Sequence, residues 1–260
     1  MPSDVLTQSR VANPRGLPTD MAERLIVALD VPTITEARTF VETLDPAVSF
    51  FKIGLWLAFA EGVDGLIRDL IGAGKKVFLD AKMFDIGKTV EEGVARAADR
   101  GVSFVTIHGD WQIIESAVKG KRGRDMKIFS ITVLTSLSSE NLKDMGYALN
   151  AQQLVNLRVK QAIKYGCDGI IASAHDDPDA IRRVAGNDSL LIATPGIRSE
   201  DEPTDDHQRH ATPQAAIMRG ADYLVVGRPI LLHPKPLDKA RQIIGEMKEG
   251  ERLRELAASR

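Results

Sequence analysis

A run of charge on a strand is the first chemistry to look for in this chain. The stretch Val77-Phe78-Leu79-Asp80-Ala81-Lys82-Met83-Phe84-Asp85-Ile86-Gly87-Lys88-Thr89 opens as an apolar strand and then turns charged. Side chains in a strand alternate between faces, so Asp80 and Lys82 are expected to point the same way. Asp85 falls past the expected strand end, in a turn before a helical pattern. An ammonium held between carboxylates can stabilise developing negative charge and then deliver a proton. A salt-bridged strand end uses the same residues. Burying several charges is costly unless they are paired, so the choice between these readings depends on what surrounds them.

The surrounding elements alternate. Apolar runs at Arg24–Asp30, Phe50–Gly54, Lys76–Lys82, Phe104–His108, Lys127–Leu134, Gly169–Ser173, Leu190–Thr194 and Tyr223–Gly227 read as strands. Helical patterns fill the intervals: Thr33–Leu44, Leu55–Ile71, Thr89–Arg100, Trp111–Lys119, Ala151–Tyr165, Pro178–Val184, Pro213–Arg219 and Pro236–Ala258. In the first of these, Ile34, Ala37, Phe40, Val41 and Leu44 share a face. Gly72 and Gly74 are expected to stop the second. Strands that are continuously apolar are covered on both faces, as in a parallel sheet. Eight such units predict a single (β/α)8 TIM barrel. A doubly wound sheet is the runner-up, disfavoured because no Gly-x-Gly-x-x-Gly follows the first strand. Residues 1–23, polar and carrying Pro2, Pro14, Gly16 and Pro18, read as a loose N-terminal arm; residues 24–260 read as one barrel domain.

Active sites of such barrels lie at the C-terminal ends of the strands. Asp30, Lys52, Asp80, Lys82, His108, Thr135, Ser173, Arg198 and Arg228 all fall at or just past those ends. His108 alone also fits a structural hydrogen-bond partner. After the eighth strand come Gly227 and Arg228, where backbone N–H groups and a guanidinium suit a phosphate; a surface arginine after a turn is the alternative. The polar loop Ser199–His210, rich in Asp and Glu, reads either as a lid over that phosphate or as an unstructured connection.

Composition excludes several classes. The net charge of −2 and the lack of a Lys/Arg run give no case for nucleic acid or an anionic membrane. No apolar run is long enough to span a bilayer, and the N-terminus lacks an apolar signal core. The single cysteine, Cys167, excludes an intrachain disulfide, fits a reducing compartment and reads as a buried structural thiol before a strand. A cytoplasmic setting is expected.

Taken in order, Ala28-Leu29-Asp30, Phe51-Lys52-Ile53-Gly54, the central Asp-x-Lys-x-x-Asp-Ile-x-x-Thr from Asp80 to Thr89, Leu134-Thr135-Ser136, Thr194-Pro195-Gly196-Ile197-Arg198 and Gly227-Arg228-Pro229-Ile230 resemble the orotidine 5′-monophosphate decarboxylase family, over about Arg24 to Pro234. The resemblance implies decarboxylation of orotidine 5′-monophosphate to UMP in pyrimidine synthesis, with no metal or organic cofactor. It implies that Lys82 protonates C6 of the pyrimidine and that Asp80 faces the substrate carboxylate, within a charge chain of Lys52, Asp80, Lys82 and Asp85. It implies a homodimer in which Asp85, Ile86 and Thr89 reach the partner's site. Asp30 and Lys52 would hold the ribose hydroxyls and Thr135, with Ser136, the pyrimidine edge. Gly227, Arg228 and a lid residue would hold the phosphate, with Arg198 at the lid's root. The family carries Gln in the lid, in an Asp-Gln context. Here the chain reads Asp205-Asp206-His207-Gln208-Arg209, so either His207 or Gln208 takes that contact. Two other readings stand beside this one: a sister sugar-phosphate enzyme with a Mg2+-stabilised enediolate (3-keto-L-gulonate 6-phosphate decarboxylase or hexulose phosphate synthase), and a non-catalytic UMP-binding barrel.

Overall fold

The structure is a computed structural model that describes residues 15–134, 137–173, 176–186, 188–199 and 211–259. Eight parallel strands close into a barrel in sequence order, β1 to β8. They are β1 (Leu25–Ala28), β2 (Phe50–Gly54), β3 (Lys76–Met83), β4 (Phe104–His108), β5 (Lys127–Ile131), β6 (Gly169–Ile171), β7 (Leu191–Thr194) and β8 (Tyr223–Val226). β1 pairs with β8 through Leu25↔Leu224, Ile26↔Val225 and Val27↔Val226, which closes the ring.

The alternation along each strand sorts side chains into two cores. Leu25 and Val27 face outward into a large aliphatic layer shared with the helices. Ile26, Ala28, Phe50, Phe78, Phe104, Phe129 and Tyr223 face inward and fill the barrel. The rings pack edge-on or tilted, with centroids 4.8 Å apart for Phe50–Phe104, 5.1 Å for Phe104–Tyr223 and 4.6 Å for Phe104–Phe129. These geometries suit the ring quadrupoles and make the interior a solid aromatic plug.

The base of the barrel carries buried charge. Asp222, fully buried just before β8, is paired with Arg182, and its carbonyl accepts from Arg24 Nε at 2.7 Å. Part of the expected arm joins this base. A 3-10 turn at Met21–Arg24, capped by Asp20, buries Met21 and Arg24, and Leu17 packs against the interior core.

Element boundaries depart from expectation where local geometry overrides periodicity. After α1 (Ile34–Leu44), the helix expected over Leu55–Ile71 is two, α2 (Leu55–Ala58) and α3 (Val63–Gly72), because Gly62 turns left-handed at φ +88°. α3 then runs through Gly72, and Gly74 at φ +72° ends the turn beyond it. β5 stops at Ile131 rather than Leu134. The interval between β5 and the helix Ala151–Lys164 contains a further helix, Ser139–Asp144, started by a reciprocal Ser138/Asn141 cap. A short helix, Arg228–Leu231, directly follows β8. No helix among the described residues is long and apolar enough to cross a membrane.

Candidate active site

A cavity of about 280 Å³ opens at the C-terminal ends of the strands, above the aromatic plug, with Phe78 in its floor. Asp30, Lys52, Asp80, Lys82, Arg198, Gly227 and Arg228 all line it. Residues from β2, β3 and the segments after β1, β7 and β8 therefore meet in one place, although up to 198 positions separate them.

Four charges alternate along one wall. Lys52 Nζ lies 2.9 Å from Asp30 Oδ1 and 3.4 Å from Asp80 Oδ2. Lys82 Nζ lies 2.8 Å from the same Asp80 oxygen. The other Asp80 oxygen accepts from the Thr106 hydroxyl at 2.8 Å. Burial works to raise the Asp80 pKa, but the two ammonium groups and the hydrogen bonds from Lys82 and Thr106 outweigh it, so the pKa lies below the ordinary carboxylate value. Asp80 is therefore an anion at neutral pH, held between two cations.

Asp80 and Lys82 converge, but not by plain alternation. The β3–β4 register runs Phe78↔Phe104 and Leu79↔Val105 and resumes at Met83↔Ile107, so Asp80, Ala81 and Lys82 stand opposite Thr106 alone. This is a bulge, and within it Lys82 takes a left-handed backbone at φ +47°. A non-glycine residue there costs roughly 1–3 kcal/mol, and such strain collects at functional sites. β2 shows a related economy at Gly54. A Cβ there would sit 2.8 Å from Asp30 Oδ1 and 2.9 Å from Lys52 Nζ, so only glycine leaves room for that ion pair.

The anion end is built from two loops. Gly227 follows β8, and Arg228 opens the short helix behind it; both face the cavity. Across from them, Arg198 is buried and donates to the Ile197 carbonyl at 2.7 Å. The ends of the 199–211 loop are clamped together: Arg198 N–H donates to Ala211 O at 3.0 Å and Ala211 N–H to Gly196 O at 3.3 Å. His207 and Gln208 lie outside the described residues, as do Thr135 and Ser136, although Leu134 beside them lines the cavity.

Asp85, Ile86 and Thr89 do not join the site of their own chain. All three are exposed, and the Asp85 carboxylate accepts only from the Ile86 N–H, at 2.6 Å, making no ion pair among the described residues. The charge row within one chain is thus Asp30–Lys52–Asp80–Lys82. His108 is at its strand end as expected but stays off the cavity, its ring 4.9 Å from Phe84. Burial and the nearby Arg158 lower its pKa against the pull of Asp110. Cys167 is the buried structural thiol expected: it donates to Ile128 O at 3.0 Å, and burial pushes its pKa up to about 12. Thr106 was not singled out by sequence, since a threonine in a strand is unremarkable; the β3 bulge gives it its place.

Comparisons with known proteins agree with this geometry. The family described as "Orotidine 5'-phosphate decarboxylase / HUMPS family" matches residues 23–243. The chain is 46% identical over 230 residues to the orotidine 5'-phosphate decarboxylase of Afipia carboxidovorans, covering 88% of this chain and 97% of that one. It is 45% identical over 226 residues to the enzyme of the same name from Caulobacter vibrioides, covering 86% and 97%. Its fold matches the crystal structure of orotidine 5'-phosphate decarboxylase from Lactobacillus acidophilus with a TM-score of 0.76 at 33% identity, over 86% of this chain and 99% of that one.

Proposed function

The chain belongs to the orotidine 5′-phosphate decarboxylase / HUMPS family, and we propose that it converts orotidine 5′-monophosphate to UMP and CO2 without a cofactor. The observation that carries this reading is the cavity-facing Lys82 ammonium, 2.8 Å from a partly buried Asp80 that is held by Lys52 on its other side.

The chemistry follows from the charges. The bond from C6 of the pyrimidine to the carboxylate breaks, CO2 leaves neutral, and the electron pair stays on C6 in the ring plane, where the π-system cannot take it up. Lys82 stabilises that pair and then gives its proton to C6; the resulting amine regains a proton from solvent. Asp80 faces the substrate carboxylate and repels it. Two unit charges at ~4 Å and an effective dielectric of ~20 give about 4 kcal/mol, whereas the largest enzymatic accelerations require roughly 23 kcal/mol. Repulsion is therefore the smaller part, and stabilisation of the transition state by a preorganised ammonium leads.

The remaining groups hold the nucleotide. Asp30 and Lys52 take the ribose hydroxyls. Arg228 and the Gly227 N–H take the phosphate, with Arg198 at the root of the lid and His207 or Gln208 reaching in from it. Thr135 and Ser136 take the pyrimidine edge. Binding energy gained at the phosphate, remote from C6, offsets the cost of gathering charges under a closed lid. The active form in this reading is a homodimer, with Asp85, Ile86 and Thr89 completing the partner's charge row. The exposure of Phe84 and Ile86 beside Asp85, at 65% and 73%, supports that reading. The proposed setting is the cytoplasm.

The test is an ultraviolet assay with orotidine 5′-monophosphate, with and without EDTA. Turnover that survives EDTA is expected. Absence of turnover, or its loss on chelation, overturns the cofactor-free reading and favours the Mg2+-dependent sugar-phosphate branch of the family.

A further inference from the structure

We propose that Thr106 is a positioning residue whose hydroxyl locks the Asp80–Lys82 pair into its working geometry. The inference rests on the reading of that pair as the reacting groups. Thr106 is fully buried on β4, opposite the β3 bulge. Its Oγ1 accepts the Lys82 backbone N–H at 2.9 Å and donates its own proton to Asp80 Oδ1 at 2.8 Å. A hydroxyl has one proton to give and lone pairs to receive, so one atom serves both residues at once and fixes the direction of each bond.

The need for such a group follows from the register. Where the ladder is interrupted, three residues of β3 face one of β4, and regular pairing no longer sets their backbone. Lys82 is left-handed within that gap, a conformation that persists only when its surroundings impose it. The Thr106 bond to its N–H supplies a constraint at the residue itself. The second bond holds the Asp80 carboxylate so that Oδ2 alone turns toward the two ammonium groups, Lys82 at 2.8 Å and Lys52 at 3.4 Å. Valine has the shape of threonine but neither bond; serine keeps both. Thr106 does not line the cavity, so substrate affinity is not its task.

Thr106→Val and Thr106→Ser are compared with wild type for kcat, KM, UMP affinity and thermal midpoint. Misplacement of a reacting group by about 1 Å can cost about 100-fold in rate. The expected result for T106V is a kcat lowered about 10- to 100-fold with KM and UMP affinity within about threefold, and for T106S a kcat within about fivefold of wild type. A T106V kcat within threefold of wild type, or equal losses in both variants, overturns the proposal. If T106V does not fold, T106A and T106S are compared instead, and equal kcat in those two overturns it. Crystal structures of wild type and T106V separate this inference from the decarboxylase reading. Should wild type fail to turn over orotidine 5′-monophosphate, the functional reading falls. The positioning role then stands or falls on whether Lys82 leaves its left-handed conformation in the valine variant.

Discussion

Replacing Lys82 with alanine is the sharpest perturbation of the proposed chemistry. Two contributions vanish together. The first is electrostatic: an ammonium about 4 Å from an electron pair on C6, at an effective dielectric of ~20, is worth about 4 kcal/mol, or roughly 1000-fold in rate. The second is proton delivery by a positioned acid, typically about 100- to 10,000-fold. If the two multiply, K82A loses roughly five to seven powers of ten; if they overlap completely, it still loses about three. The protein itself should survive. Asp80 keeps Lys52 at 3.4 Å and the Thr106 hydroxyl at 2.8 Å, so its charge is not stranded. The assay is single-turnover conversion of orotidine 5′-monophosphate at high enzyme concentration, with UMP affinity and thermal midpoint as controls. Turnover within 100-fold of wild type, in a variant that binds UMP normally, would refute the assignment of Lys82 as the acid.

Three further outcomes follow from the same geometry. Mixing inactive K82A with inactive Asp85→Ala should restore about a quarter of wild-type activity after random subunit exchange, because half the twofold dimers are hybrids with one intact site; no recovery despite exchange seen by native mass spectrometry rejects a shared site. Gly54→Ala pushes a Cβ against Asp30 Oδ1 and Lys52 Nζ, so KM should rise about tenfold. The urea midpoint should barely move, since only side-chain tips must shift; an unchanged KM contradicts the ribose role of that pair. Asp80 has a folded pKa below its ordinary value of 3.8, so its contribution to stability is whole above 3.8 and is lost as the pH falls through the lower folded value. The stability advantage of wild type over Asp80→Asn in urea should therefore narrow as the pH drops from about 5 to below 3.8. A gap that stays constant over that range removes the ion-pair explanation.

The barrel was legible because buried parallel strands write themselves as unbroken apolar runs. All eight strands lie where those runs are, and the strand-end rule put Asp30, Lys52, Asp80, Lys82, Arg198 and Arg228 on one cavity. What escaped the sequence was set by single backbone events. Gly62 divides one expected helix. β5 ends at Ile131, where its pairing with β6 stops at Ile131↔Ile171, and beyond it the Thr132 hydroxyl and N–H both donate to Ile171 O, at 2.9 and 3.4 Å. His108 obeyed the strand-end rule and still turned away, toward Phe84, because a position at a strand end fixes height on the barrel but not the direction of a ring. Thr106 carried no signal, since its importance is created by a neighbour's bulge.

That bulge also explains why a simple rule led to the right pair by an incomplete route. In a regular strand, residues two apart share a face about 6.6 Å apart along the chain, and their ladder partners leave both backbones extended. Here the ladder is broken between Leu79 and Met83, and it is a left-handed Lys82 that brings Nζ to Asp80. Phe50, Phe78, Phe104, Phe129 and Tyr223 fill the barrel beneath the charges and shield the row from below. Closing the cavity mouth over a substrate would lower the effective dielectric around every pair in the row and strengthen each interaction. The aromatic plug is thus part of the electrostatics as well as of the fold.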